Sequence, residues 1–188
     1  QTFWAVDENN HNLVQLRILL HFNHIVDLNT SRKYISVKLE GKTVNATLLT
    51  RENGKELDFW IAAPSDDQAV KKLSVTIGKG MACPGSPRQN PSDETIELTM
   101  PERNRLEITD VLTDFEEGEG VIYVFTTQPV PEQGLRGLIR VTPEATFEAT
   151  AIGNGFKLKG NFADGQSYEL NVSGKLKGIF GPELGSDF

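Results

Sequence analysis

The chain has 188 residues, a single cysteine and a formal net charge of −7. Nucleic acids and anionic membrane surfaces attract basic patches, so this charge argues against both as partners. One cysteine cannot form an intramolecular disulfide, and no apolar run approaches the ~20 residues that a membrane-spanning helix needs.

The first half alternates apolar and polar residues, the pattern typical of half-buried strands. Ile18 and Leu20 alternate with Arg17 and His21, for example. The pattern predicts strands near 3–6, 16–22, 35–39, 44–49, 57–61, 73–77 and 96–100. Asn53-Gly54 predicts a turn, 78–91 a long loop rich in Gly, Pro and Ser, and 67–72 one short helical turn.

A polar stretch at 101–105 contains no apolar residue except Pro101, which indicates a stiff linker. The second half resumes alternation at 106–108, and 114–120 is predicted to be an acidic loop. Further strands are predicted at 121–125, 138–141, 147–152, 156–158 and 168–172. Tight turns are expected at 153–155 and 164–165.

The two halves repeat one pattern. Residues 16–85 and 121–181 pass through the same succession of strands and turns, with an offset that falls from 103 or 104 to 95 because the first copy has longer loops. The matched positions are Phe22 with Phe125, Ile35 and Val37 with Ile139 and Val141, Phe59 with Leu158, Leu73 with Tyr168, and Val75 and Ile77 with Leu170 and Val172. Tyr168 is therefore expected to be largely buried, with a partner for its hydroxyl.

An internal repeat of this length predicts an all-β chain of two domains in series. About seven short strands per copy favour antiparallel Ig-like β-sandwiches over 1–102 and 103–188. The Cys…Trp…Cys spacing of antibody domains does not occur. The chain starts without Met and ends at Gly185-Ser186-Asp187-Phe188, which looks like the beginning of a strand. We therefore expect a longer natural protein, a final strand truncated in the second domain and a signal peptide already removed.

One motif series in the second half is specific. Phe125-Thr126-Thr127-Gln128-Pro129-Val130 ends one strand, Ile139-Arg140-Val141-Thr142-Pro143 forms another, and Gly165-Gln166-Ser167-Tyr168 leads into a third, before Phe180-Gly181-Pro182-Glu183-Leu184. The series resembles the bacterial Ig-like module in the N-terminal macroglobulin-like domains of bacterial alpha-2-macroglobulin-family proteins. Similar modules occur in S-layer and adhesin proteins. The first half follows the pattern more loosely.

The resemblance implies a structural and interaction module of a larger envelope protein, periplasmic or on the cell surface, with lipid anchoring of the full-length protein an option. A protease-trapping inhibitor is the preferred carrier. The alternative carriers are an adhesin, an S-layer or a carbohydrate-associated surface protein, with an accessory module of a secreted hydrolase as a third class. The implied partners are neighbouring domains of the same chain and, through the full-length protein, proteases. The thioester motif of some family members is not present in this sequence, so no reactive residue is carried over.

No residue of the sequence is predicted to form a catalytic, cofactor or metal site. His11, His21 and His24 are too few and too dispersed for zinc, which needs three or four convergent ligands. The acidic stretches 92–94 and 114–119 lack the spacing of a calcium loop. Core or interdomain packing is preferred to a sugar platform for Trp4, Tyr34, Phe59 and Trp60. Cys83 has no basic neighbour to activate it. No nucleophile, phosphate-loop or metalloprotease motif occurs, so we expect no enzyme, cofactor or metal.

Overall fold

The computed structural model describes residues 1–85 and 89–188. The described residues are mostly β-strand, in antiparallel sheets, which confirms the all-β class. The chain divides into two compact units, Gln1–Glu102 and Arg103–Phe188. The part of the predicted loop at 86–88 lies outside the described residues.

In the described part of the first unit, eight strands form two antiparallel four-stranded sheets, in the orders β1-β2-β6-β5 and β4-β3-β7-β8. The strands are β1 Thr2–Val6, β2 Val14–Val26, β3 Ile35–Leu39, β4 Lys42–Val44, β5 Thr47–Leu48, β6 Gly54–Ala62, β7 Lys71–Ile77 and β8 Glu94–Met100. A short helix, α1 Leu28–Ser31, and a 3-10 turn, Arg32–Tyr34, join β2 to β3.

Alternation buries one face of each sheet, because successive side chains of a strand point to opposite sides. Ile18 of β2 and Phe59 of β6 are cross-strand partners, and both are buried. At the edge, the indole Nε1 of Trp4 in β1 donates to the carbonyl of Pro101, just after β8, at 2.9 Å. The Thr2 hydroxyl donates to the carbonyl of Thr99 at 2.5 Å. The edge strands β1 and β8 of the two sheets are thus joined directly.

Residues 103–188, all of which the structure describes, form six strands. A four-stranded sheet has the order β12-β13-β10-β9, and a two-stranded sheet pairs β11 with β14. The strands are β9 Ile108–Glu116, β10 Glu119–Thr126, β11 Ile139–Thr142, β12 Phe147–Ile152, β13 Gly155–Gly160 and β14 Glu169–Val172, with a 3-10 turn at Leu135–Leu138. Both sheets contribute to one hydrophobic core, which includes Val124, Phe156, Leu158, Val141 and Val172.

The two units repeat the same strand pairings. Ile35 pairs with Ile77, and the matched residues Ile139 and Val172 pair with each other in the second unit. Val37 pairs with Val75, as Val141 pairs with Leu170. The four-stranded sheet of the second unit, read from β9 to β12, has the order β9-β10-β13-β12, which corresponds strand by strand to β1-β2-β6-β5 of the first unit. The repeat seen in the sequence is therefore also a repeat of sheet topology.

The 103-residue offset proposed for the first matched strand is wrong by one residue. Phe59 pairs with Ile18, whereas its counterpart Leu158 pairs with Ile122 rather than Val121. The true offset of β2 to β10 is therefore 104, and Ile122 and Val124 face the core. Tyr123 and Phe125, which the sequence aligned with inward residues, lie on the opposite face, because a slip of one residue reverses the side of every side chain.

Three other local predictions were wrong. The single strand predicted at 44–49 is two short strands, β4 and β5, which belong to different sheets. The predicted acidic loop at 114–120 is instead a β-hairpin: β9 runs to Glu116, and Glu117 and Gly118 form a two-residue turn with positive φ at both positions, the geometry of a type I′ turn. Among the described residues, the structure has no helical turn at 67–72, and its helical segments lie at 28–34 and 135–138.

Candidate functional site

The three histidines do not converge. His11, His21 and His24 are exposed, and His21 Nδ1 lies 3.4 Å from Glu56 Oε1. Within residues 1–85 and 89–188, no group of three or more His, Cys, Asp or Glu side chains could hold a metal ion. In the acidic segment at 92–94, the Asp93 carboxylate accepts a hydrogen bond from the backbone N–H of Lys79 at 2.7 Å, so its role there is to hold the loop.

The aromatic side chains of Trp4, Tyr34, Phe59 and Trp60 do not form one surface that could bind a sugar. Trp4 and Phe59 are buried in the core of the first unit. Trp60 is half-buried on the opposite face of β6, and Tyr34 is half-buried beside the Lys33 ammonium, whose Nζ lies 4.9 Å from the ring centroid. The core packing preferred in the sequence analysis accounts for Trp4 and Phe59.

Cys83 is half-buried and lines a cleft of about 350 Å³ in the first unit. His24 and Glu94 also line the cleft, together with the apolar side chains of Val26, Ile77 and Met81. The sequence offers no basic residue next to Cys83, and among the described residues that line the cleft the basic side chain is His24.

A second polar cluster lies on the outer side of the first unit. Arg17 of β2 makes a two-point contact with the Asp58 carboxylate of β6, with Nε 2.9 Å from Oδ1 and Nη2 on Oδ2. The buried Gln15 donates from Nε2 to Asp7 Oδ2 at 2.6 Å. The backbone N–H groups of Asn9 and then Asn10, together with Gln15, lower the pKa of Asp7. Each charged group in this cluster therefore has a structural partner.

Charged residues of the β9–β10 hairpin interact with β13. The Tyr123 hydroxyl donates to the Glu116 carboxylate, which also lies 3.5 Å from Lys157 Nζ. The hydrogen bond from Tyr123 is the main cause of the lowered pKa of Glu116, and the same bond raises the pKa of Tyr123 to about 12. Lys159 Nζ bonds Glu117 at 2.7 Å, which lowers the pKa of Glu117 and raises that of Lys159.

This network is a set of cross-strand pairs rather than a catalytic pair. The neutral phenol and the charged carboxylate stabilise each other in their ordinary protonation states at neutral pH. A general acid or base needs the opposite, a pKa brought toward neutrality. The chemistry that the arrangement supports is therefore the fixing of the hairpin against β13.

A buried polar residue that the sequence pattern did not single out organises the second unit. Gln128 is fully buried. Its Nε2 donates to the carbonyls of Arg103 at 3.2 Å and Arg105 at 3.3 Å, and its Oε1 accepts from the N–H of Phe180 at 3.0 Å. Gly178 leaves the space for this side chain, since a Cβ there would overlap it. Gln128 therefore ties the first residues of the unit to its last turn.

Two neighbours of Gln128 have related roles. The Thr127 hydroxyl donates to the Arg105 carbonyl and accepts from the N–H of Glu107, each at 3.1 Å. The Thr126 hydroxyl donates to the carbonyl of Gln128 at 2.6 Å. A sequence signal existed, because Thr-Thr-Gln lies between apolar residues directly after a core strand, and buried polar groups need hydrogen-bond partners.

The second unit also contains an apolar groove of about 540 Å³ between β9 and the start of β14. Phe115, Ile122, Phe162, Tyr168 and Leu170 line it, and we call it the β9/β14 groove. Tyr168 was predicted to be largely buried, but it is only half-buried. The other half of that prediction holds, because the Tyr168 hydroxyl accepts from the N–H of Ala163 at 2.9 Å.

No helix in the described parts of the chain is both long and apolar enough to cross a membrane. Comparison with known proteins gave no match to a protein-family model, to a curated protein or to a solved structure.

Proposed function

We propose that the chain is a pair of tandem Ig-like modules that position and connect other parts of a larger bacterial envelope protein. The observation that carries this proposal is the repeat of strand pairings: two compact units use one topology, with matched residues at matched register. The exposed strand edges of such units are the surfaces available for binding a partner.

The polar residues that the structure brings together support a structural role. Gln128 and Thr127 bind backbone atoms at the start of the second unit. Arg17 and Asp58 join β2 to β6, and the hairpin charges join β9 to β13. These side chains stabilise the frame, with no substrate required to explain their positions.

The preferred carrier is an alpha-2-macroglobulin-like protease trap in the periplasm or at the cell surface. The motif series of residues 125–184, which resembles the macroglobulin-like module, supports this carrier. The alternative is a spacer module of an adhesin, an S-layer or a carbohydrate-associated protein, because similar modules occur there. In either case the partners of the chain are neighbouring domains, and contact with proteases belongs to the full-length trap.

The module proposal is tested by separating the units at the boundary between Glu102 and Arg103. Each piece should keep a strand-type circular dichroism spectrum and unfold cooperatively, because each unit has its own buried side chains. Loss of structure in both pieces would show that the copies share one core and would contradict the tandem-module proposal.

The scaffold role is tested with endopeptidases. We expect residues 1–188 to leave protease activity on large substrates unchanged, because trapping requires a cleavable bait and a conformational change of the whole inhibitor. Stoichiometric inhibition, or covalent capture through Cys83, would contradict the scaffold role. The full-length protein separates the two carriers: a trap forms a complex with the protease that cuts it, and a spacer protein does not.

A further inference from the structure

The β9/β14 groove lies where the first unit has an additional strand. In the first unit β8 pairs with β7 and is joined to β1 through Trp4 and Thr2. The counterparts of β7 and β1 in the second unit are β14 and β9. Among residues 103–188, no strand lies between β14 and β9, and the groove opens at this place.

The side chains that β8 covers in the first unit have exposed counterparts in the second. Trp4 of β1 pairs with Leu16 of β2. The 104-residue offset matches Leu16 to Gly120, whose partner in β9 is Phe115. Phe115 is therefore the counterpart of Trp4. Trp4 is 0% exposed, whereas Phe115 is 58% exposed. Phe115 shares its groove with Tyr168 and Leu170, so the exposed surface is a contiguous patch, and contiguous exposed apolar patches mark interaction sites.

The β14 side of the groove shows the same difference. Leu73 and Val75 of β7 are fully buried, and β8 places their cross-strand partners Leu98 and Ile96 beside them. The matched residues Tyr168 and Leu170 are only half-buried, and both line the groove. Phe115 on β9 and Tyr168 and Leu170 on the β14 side are thus apolar or aromatic side chains that remain incompletely covered.

The backbone at Phe188 fixes a register for the added strand. The N–H and C=O of Phe188 each bond Val172 at 3.0 Å. Val172 corresponds to Ile77, whose partner in the first unit is Glu94, the first residue of β8. Phe188 therefore occupies the position at which β8 begins. A strand running on from Phe188 places its second residue opposite Leu170 and its fourth opposite Tyr168.

We propose that the β9/β14 groove is the docking site for an extended strand joined to the backbone at Phe188, added antiparallel to β14 and carrying apolar side chains at alternate positions. The apolar side chains enter the groove against Phe115, Tyr168 and Leu170, and the backbone pairs with the free edge of β14. Strand addition of this type combines main-chain hydrogen bonds with pockets for every second side chain. The proposal depends on the internal repeat and not on which envelope protein carries the chain.

The test appends to Phe188 the seven-residue sequence of positions 95–101, taken from β8 of this same chain. The matched control carries one extra serine between Phe188 and that sequence, which turns the apolar residues to the wrong face without changing the peptide. Far-UV circular dichroism follows unfolding of both units, and tryptophan fluorescence reports the first unit alone, because Trp4 and Trp60 are the only tryptophans.

We expect the in-register extension to raise the unfolding midpoint of the second unit by ~4–8 °C or more, the shift typical of modest stabilisation in a domain of this size. The tryptophan transition should not change. Replacement of Phe115 by alanine should lower the midpoint of the extended chain more than that of the chain ending at Phe188, because only the added strand covers the ring.

Two results would overturn the proposal. An equal shift from the in-register and the serine-shifted extensions would show that the added residues act without entering the groove. The second result comes from a further experiment, in which a free peptide with the sequence of residues 95–101 is added to the chain ending at Phe188. If that peptide binds while the in-register extension has no effect, the occupant is a strand from another polypeptide, and the assignment to a strand joined at Phe188 is wrong.

Discussion

Replacement of Gln128 by alanine should destabilise the second unit strongly. The side chain is fully buried, donates to the carbonyls of Arg103 and Arg105, and accepts from the N–H of Phe180. Removing it eliminates three hydrogen bonds and leaves the partly buried N–H of Phe180 without its partner, which by itself costs ~1 kcal/mol or more. With about 0.5–1 kcal/mol for each of the two lost carbonyl bonds, the expected loss is about 3 kcal/mol.

The assay is equilibrium denaturation of residues 1–188 in urea, followed by circular dichroism and tryptophan fluorescence. Only the transition of the second unit should move, because Gln128 lies in that unit. The tryptophan signal should not change, because both tryptophans belong to the first unit. In a thermal scan the same loss corresponds to a fall in midpoint of ~12–24 °C, at ~4–8 °C for each kcal/mol.

Gln166 provides the matched control. It is an exposed glutamine in the same unit, with Nε2 bonded only to the carbonyl of the adjacent Ser167, and its replacement by alanine should change the free energy of unfolding by less than ~0.5 kcal/mol. A loss below ~1 kcal/mol for Gln128→Ala would refute the reasoning, because it would mean that the ends of the unit are held together without this side chain.

Two further predictions concern the β9–β10 hairpin. Tyr123 should titrate with a pKa of about 12, because its hydroxyl donates to Glu116; since the folded pKa is raised, the stabilisation is fully present below pH 10 and is lost as the pH rises toward 12. Tyrosinate absorbance should show a lower pKa in Glu116→Gln, and an unchanged titration would contradict the assigned bond. Gly120→Ala should cost about 1–3 kcal/mol, because the new Cβ would lie 2.6 Å from the Cβ of Phe162. Gly137→Ala is the control, because a Cβ at Gly137 would have no heavy atom within 4 Å. Equal stability of the two variants would argue against close packing at Gly120.

The strands themselves were largely predictable from the sequence. Period-two alternation located β3, β8 and β12 to within two residues, because alternate side chains of a strand point to opposite faces of its sheet. The repeat also matched the correct cross-strand partners, such as Ile35 with Ile77 and Ile139 with Val172. The local sequence pattern is enough to predict a strand where the burial of each side chain depends only on its position in that strand.

The errors arose where tertiary neighbours decide. Tyr168 occupies a core-facing position, but its burial depends on an adjacent strand rather than on its own sequence. The acidic content of 114–119 suggested a loop, although exposed edge strands accommodate charged residues well. In β10 an uninterrupted apolar run, Val121 to Phe125, gave no alternation with which to fix the register.

The role of Gln128 could not be predicted in full either. Its three partners lie 23, 25 and 52 residues away in sequence, so only the fold brings them together. The polar Thr-Thr-Gln run indicated that something must satisfy buried polar groups, but not which backbone atoms. The groove was likewise visible only once the two copies could be compared strand by strand.

Amide hydrogen exchange at Val75 and Leu170 tests the central claim most directly, namely that the two units share one architecture that is closed in the first and open in the second. The Leu170 N–H points to the same edge of β14 as that of Val172, because alternate residues of an antiparallel strand face the same neighbour. We predict slow exchange at Val75, which β8 covers, and fast exchange at Leu170, with Val172 protected by Phe188. Comparable protection of Leu170 and Val75 in residues 1–188 would contradict the account, because it would mean that the edge of β14 is already paired.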